Sequence, residues 1–319
     1  MRDEGSGTGF CSGTLIHPDV VMLAAHCIDP EENDWLVGSV GLGESGWLPE
    51  RSVQVTECQM HPEYDRTDQH LDLAWCRLAE PVTDVPIVPL LMGCEVETLG
   101  AGDVVTIVGF GATEGIYDGD GGVDISGQGT KRYTEMVIEE LDLEENDLLL
   151  LGDDTGACFG DSGGPAFVSL PEGGWRVIGA ASTVHPDTQY MEGDDVCIHG
   201  SVYELGFTQA KWIEDSSGID VTPCHDPDGT WDPGADCREF PLEPWLDDGK
   251  WPEGCAAGAN TDWVSTCGLP YPDDSGTGGA EDPGSGLVGR GCGCRVDDEV
   301  PWPTPSSFAL VLLWFRRRR

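Results

Sequence analysis

A serine hydroxyl set among glycines can act as a nucleophile, and the segment Cys158-Phe159-Gly160-Asp161-Ser162-Gly163-Gly164-Pro165 holds one at Ser162. Such a hydroxyl attacks a carbonyl well only when a base takes its proton and fixed N–H groups receive the oxyanion. The glycines permit the tight turn this needs, so the N–H groups of Gly160 and Ser162 can point at one oxygen. The plainer reading is an ordinary Gly-Asp-Ser-Gly turn. Multiplied residue frequencies put a chance Gly-Asp-Ser-Gly-Gly-Pro in roughly one in a thousand chains of this length or fewer. A base is available upstream, where the apolar run Val20-Val21-Met22-Leu23-Ala24-Ala25 ends in His26 beside Cys27. A lone histidine next to such a run is more often a core residue, but here a nucleophile needs a base. In His70-Leu71-Asp72-Leu73-Ala74-Trp75 a carboxylate lies inside an apolar segment. Its burial is costly unless it has partners, and an imidazole N–H is one.

With the order His26, Asp72, Ser162, the chain resembles the trypsin/chymotrypsin family of serine proteases from about Phe10 to about Ile213. Order discriminates, because the subtilisin-like and α/β-hydrolase enzymes arrange the same three residue types differently along the chain. The resemblance implies an all-β fold of two six-stranded antiparallel barrels followed by a C-terminal helix. It implies a serine-type endopeptidase that acts on protein or peptide substrates without cofactor or metal. Only ten residues precede Cys11, so the N-terminal barrel is expected to be incomplete here: either its first strand, the freed amino terminus and a signal peptide are encoded upstream of Met1, or the domain itself is truncated. In the family the freed ammonium group, made by an activating protease, pairs with the acid before the nucleophile, here Asp161.

The specificity pocket is read by carry-over. Its floor falls at Gly156, and its walls at Ser182-Thr183-Val184 and Gly200-Ser201-Val202-Tyr203. With no carboxylate at Gly156 and a branched residue at Val184, the expected preference is for small or medium apolar side chains before the scissile bond. Asp153 and Asp154 keep a basic preference in play. The resemblance pairs Cys11 with Cys27 and Cys158 with Cys197. Cys58 and Cys76 flank Asp72 and form a third candidate pair. Cys94, Cys224, Cys237, Cys255 and Cys267 admit several connectivities: Cys224 to Cys237 with Cys255 to Cys267, or Cys94 to Cys224. Asp65, Asp68 and Asp72 lack the glycine-bent spacing of a calcium loop, and no metal site is assigned.

These residues need elements to hold them. Residues 10–28 read as strand, turn, strand and a short helical turn carrying His26. Residues 29–50, rich in Glu, Asp and Gly, read as exposed loops; Ser52–Met60 reads as a strand. Val104–Gly111 is a buried strand ending in Gly-Phe-Gly, and Gly115–Gly129 a mobile surface loop. Tyr133–Leu143 is ambiguous: its glutamates suggest helix, while the family pattern wants a strand near Met136-Val137-Ile138. Leu148–Leu151 is a short core strand, and Phe207–Asp215 the closing helix.

The whole chain has 319 residues and a formal net charge of -43, which argues against nucleic-acid backbones as partners. Its 13 cysteines point to an oxidising compartment. The protease-like domain is read at 1–217. Residues 218–290 form an acidic Cys/Pro/Gly-rich linker or small disulfide-held segment, whose tryptophans Trp231, Trp245, Trp251 and Trp263 pack locally or, as the lesser alternative, form a carbohydrate-stacking face. Residues 291–319 hold Cys292-Gly293-Cys294, the apolar run Phe308–Phe315 and four terminal arginines. This tail resembles the myxobacterial MYXO-CTERM sorting signal, implying export to the cell surface, a sorting machinery as partner, and removal of the tail. A retained tail anchor is the alternative. The competing functional class is a surface binding protein that keeps a protease fold without activity.

Overall fold

The structure, a computed structural model, describes residues 11–31, 35–83, 85, 87–152, 154–170, 175–185, 190–230, 232, 234 and a strand at 310–317. The strands are β1 (Cys11–His17), β2 (Val20–Leu23), β3 (Trp35–Leu42), β4 (Arg51–Met60), β5 (Ala74–Leu78), β6 (Val104–Gly109), β7 (Glu114–Tyr117), β8 (Val123–Ser126), β9 (Arg132–Asp142), β10 (Asp147–Leu151), β11 (Pro165–Ser169), β12 (Trp175–Val184), β13 (Ser201–Leu205) and β14 (Leu310–Arg317). One helix, α1 (Ala210–Ser217), follows the second barrel.

Two antiparallel barrels lie side by side. The second closes in the order β10-β13-β12-β11-β6-β9, all from one continuous stretch of chain. In the first, β1 to β5 curl into a half-barrel, and β14 lies antiparallel between β1 and β3 to close it. Its register runs from Cys11↔Leu313 to Thr14↔Leu310 on one side and from Val311↔Leu42 to Arg317↔Trp35 on the other. Most of the apolar run of the tail is thus a strand, and the sixth strand of the expected truncated barrel comes from there.

The solid apolar run before His26 has a packing explanation. Successive strand residues face opposite sides. Val21 and Leu23 pack inside the first barrel with Leu15, Ala74 and Cys76. Val20 and Met22 turn outward, join Ile16, Leu73 and Trp75, and merge with the core of the second barrel. A strand buried on both faces has no polar side, so it reads as continuous hydrophobic sequence.

Other expectations change. Residues 29–50 are not all loop, because they contain β3. Gly115–Gly129 is largely the β7–β8 hairpin, turned where Asp118 Oδ1 accepts the N–H groups of Asp120 and Gly122, both at 2.8 Å. The ambiguous stretch is strand as far as Asp142, where β9 ends: Met136 and Ile138 are buried while Glu135, Val137 and Glu139 are exposed, a period of two that the glutamates obscure. The packed unit continues past Ser217, since Val221, Cys224 and His225 are buried. Cys224 is disulfide-bonded. Cys237, Cys255, Cys267, Cys292, Cys294 and the four tryptophans named above lie outside the described residues.

Candidate active site

His26 sits in a single 3-10 turn, Ala25–Cys27, at the end of β2. The turn is pinned from two directions. Cys27 is bonded to Cys11 on β1, and the Asp72 carboxylate grips the histidine twice. Its Oδ1 accepts the His26 backbone N–H at 2.8 Å, and its Oδ2 lies 2.6 Å from ring Nδ1. Ser182 Oγ donates to the same Oδ2 at 2.7 Å. Three donors therefore satisfy a carboxylate with no exposed surface. A carboxylate only accepts, so Nδ1 carries the proton and Nε2 is the acceptor nitrogen, the tautomer a general base requires.

The loop delivering Asp72 is bent to do so. Gln69 and Leu71 have φ of 60° and 52°, a region that side-chain-bearing residues rarely enter. Immediately after, the Leu73 N–H donates to Leu71 O at 2.7 Å, and Leu73 is fully buried, which fixes the bend.

Ser162 lies on the loop between β10 and β11, and this loop packs on the His26 turn. At Gly163 (φ 79°) a Cβ would lie 2.6 Å from Ser12 O and 2.8 Å from Ala24 N, so any side chain would push the Ser162 loop off the histidine turn. Ser162 O is 3.8 Å from Cys27 Sγ. Two carbonyls set the direction of the neighbouring N–H groups. Phe159 O accepts Ala112 N–H at 2.9 Å, and Asp161 O accepts Gly164 N–H at 2.7 Å. Across a planar trans peptide the N–H points opposite to the C=O, so both the Gly160 and Ser162 N–H groups are turned away from those partners. Ser12 Oγ, donating to Gly160 O at 2.8 Å, fixes the intervening unit.

Asp161 turns inward from this loop. Its carboxylate accepts the N–H groups of Gly111 at 2.7 Å and Cys158 at 2.9 Å. Burial pushes its pKa up to about 6 against the pull of those two N–H groups and of the Arg132 charge. Beside it lies a cavity of 180 Å³ whose lining includes Gly111, Arg132, Thr155, Gly156, Asp161 and Tyr203.

Of the expected pocket residues, Gly156 lines this cavity and lies beside Ser201. Cys158 is bonded to Cys197, and Cys58 to Cys76 on β4 and β5. A Cβ on Gly156 would lie 2.8 Å from Cys197 O and 3.2 Å from Ser201 Oγ. Ser201 Oγ accepts the Ala157 N–H at 2.7 Å, and Ser201 is the cross-strand partner of Val184. Ser182, expected in a pocket wall, has its hydroxyl bonded to Asp72. Sequence reasoning missed that bond, and it missed Glu204, a carboxyl with 1% exposure on β13 next to Asp72. The available signal was an acid inside the otherwise apolar strand Ser-Val-Tyr-Glu-Leu.

A family model described as Trypsin matches residues 2–197. Among curated proteins, the chain is 30% identical over 226 residues to vitamin K-dependent protein C of Rattus norvegicus, a match spanning 65% of this chain and 46% of that protein. It is 27% identical over 199 residues to serine protease 28 of Mus musculus, covering 56% of this chain and 70% of that one. Tryptase of Mus musculus is 28% identical over 193 residues, covering 54% and 68%. The chain spans about half the length of the protein C relatives it matches.

Proposed function

The chain belongs to the trypsin family of serine proteases, and on that premise we propose that it is a serine-type endopeptidase working through Ser162, His26 and Asp72. The observation that carries this reading is the double grip of Asp72 on His26, with the nucleophile loop packed on the same turn. Ser162 Oγ attacks the peptide carbonyl while His26 Nε2 takes its proton. Asp72 holds the imidazole in the required tautomer and stabilises its charged form. The N–H groups of Gly160 and Ser162 receive the oxyanion, each such donor contributing about 3 kcal/mol. The imidazolium then gives its proton to the leaving amine, and water hydrolyses the acyl-enzyme by the same steps in reverse.

Asp161 is the proposed anchor for a freed amino terminus, with the adjoining cavity as its seat. A carboxylate whose pKa burial has raised gains most from a cation placed beside it. Gly156, with Val184 facing Ser201 across the strands, supports a pocket for small or medium apolar side chains. Delivery to the cell surface, with residues 291–319 as the export and sorting address, rests on Cys292-Gly293-Cys294, the apolar run and the arginines. Because Leu310–Arg317 also closes the first barrel, the sorting machinery must take the tail before closure or from an opened barrel.

The test is labelling with a fluorescent fluorophosphonate together with hydrolysis of a peptide panel. The expected result is labelling that disappears in Ser162→Ala with a fall in kcat of about 10⁶-fold, and cleavage after Ala or Val in preference to Arg. Cleavage after Arg would overturn the pocket reading alone. Absence of labelling with or without an upstream extension would leave a protease fold used as a binding surface.

A further inference from the structure

Behind the Asp72 loop lies a buried acid that the catalytic steps above do not use. Glu204 sits on β13, and its Oε2 accepts Asn146 Nδ2 at 3.0 Å. The backbone N–H of Asp72 donates to the same carboxyl. Across the strands its register partner is Asp147 on β10, and a side-chain hydrogen bond links the two acids. Asn146 is itself fixed: its φ is 69°, its carbonyl accepts Leu205 N–H at 2.9 Å, and its Oδ1 accepts Thr208 Oγ1 and, at 3.0 Å, Gln209 Nε2. The carboxyl of Glu204 is therefore held from the second barrel, while the N–H it receives belongs to the first.

That N–H needs holding. The bend at Gln69 and Leu71 puts two non-glycine residues in the left-handed region, a conformation that persists only where surroundings over-determine it. The Leu73–Leu71 bond secures the bend from within the loop, and Glu204 secures it from outside. We propose that Glu204 is a positioning residue for the triad, holding Asp72 in register with His26 through a carboxyl shared with Asn146 and Asp147. The inference rests on the reading of Ser162, His26 and Asp72 given above.

The acids around this clamp oppose its ionisation. The acids facing Glu204 are Asp72 on the loop before β5 and Asp147 on β10. Asp142 and Glu145 also act on Asp147 and oppose its ionisation, while His70 favours it. Burial first, then Asp147 and Asp72, push the Glu204 pKa up to about 9, against its bonds from Asn146 and the Asp72 backbone. As a neutral acid it accepts the two N–H groups and donates its O–H to Asp147. Once ionised, it faces two carboxylates with no proton to share. The bend at Leu71 then relaxes, and Asp72 withdraws from His26.

The experiment measures kcat and KM against pH for the full chain and for Glu204→Gln and Glu204→Leu. NMR of the His26 Nδ1–H proton serves as a readout that needs no turnover. Glutamine keeps the acceptor, and its N–H replaces the O–H, but it cannot ionise. Glu204→Gln is expected to keep the neutral-pH kcat and the Nδ1–H resonance, and to carry both to higher pH than wild type, which loses them above about pH 9. Glu204→Leu is expected to lower kcat by about 100-fold with KM little changed, as a misplacement of about 1 Å does. A residue that merely fills space would leave the alkaline loss where it is in the glutamine variant. Identical alkaline loss in wild type and Glu204→Gln, by both readouts, overturns the proposal whether or not the leucine variant folds. If wild type hydrolyses nothing while the Nδ1–H resonance still shifts its pH limit in Glu204→Gln, the endopeptidase reading fails and the positioning role stands.

Discussion

The two barrels share the candidate site, His26 and Asp72 on one and Ser162 on the other, yet they are assembled differently. The second takes all its strands from the single stretch 104–205, with the separate β7–β8 hairpin between its first two. The first takes five from residues 11–78 and its sixth from 310–317. Closing so long a loop is entropically mild, because each doubling of loop length adds only about 0.6 kcal/mol. The difference lies in the edges. Every strand of the second barrel has partners from nearby sequence, whereas β1 and β3 each owe one partner to a distant segment. Continuity of chain, rather than topology, separates a barrel that closes by itself from one that depends on remote residues.

Cutting the chain after residue 309 tests this contrast most severely. With eleven paired positions lost between β14 and its neighbours, and each ladder bond contributing about 1 kcal/mol, local opening of β1 and β3 should become easier by on the order of 5 kcal/mol or more. Hydrogen exchange should show lost protection there and none in β6 or β9 to β13; equal loss in both barrels would break the contrast. A smaller effect belongs to the second barrel. Arg176 on β12 makes a bidentate pair with Glu95, at 2.7 and 2.8 Å, and both are fully buried. Arg176→Met strands the carboxylate and should lower unfolding free energy by about 3–5 kcal/mol, with Glu95→Leu added to it recovering much of the loss in denaturant titrations.

The smallest is a pH effect. Burial first, then the Arg176 charge, lower the His225 pKa to about 4. Between its ordinary value of 6.5 and about 4 the unfolded chain binds a proton that the folded chain refuses. Stability from this residue is therefore complete above pH 6.5 and is lost on acidification, by up to about 3 kcal/mol. Asp161, with its pKa raised, acts in the opposite sense over an overlapping window. The contribution of His225 should thus be read as the difference between wild type and His225→Phe, and parallel acid profiles for the two would refute it.

What could be read from sequence follows how local the determinants are. The motifs around His26, Asp72 and Ser162 are each contiguous, and their order alone gave the family resemblance and hence the double barrel. β3 was hidden because Trp-Leu-Val-Gly-Ser-Val-Gly-Leu carries two glycines and sits among acidic residues. β9 was blurred because Glu135, Glu139 and Glu140 occupy its solvent face, and glutamate suggests helix until the buried Met136 and Ile138 reveal the alternation. β14 was illegible as a strand: eight mostly apolar residues have no period of their own, and their partners lie at the other end of the chain. Glu204 and Ser182 meet Asp72 only through the fold, so no spacing in sequence announces them.

The placement of β14 also has a consequence in time. A chain emerging from the ribosome releases residues 104–205 long before residue 317 exists. At roughly 5–20 residues per second, the intervening stretch of about 100 residues takes roughly 5–20 seconds to make. During that interval the second barrel has all its strands, and the half carrying His26 and Asp72 still has two open edges. The half that carries His26 and Asp72 is thus completed later than the half that carries Ser162, and only when residues 310–317 arrive to pair with β1 and β3.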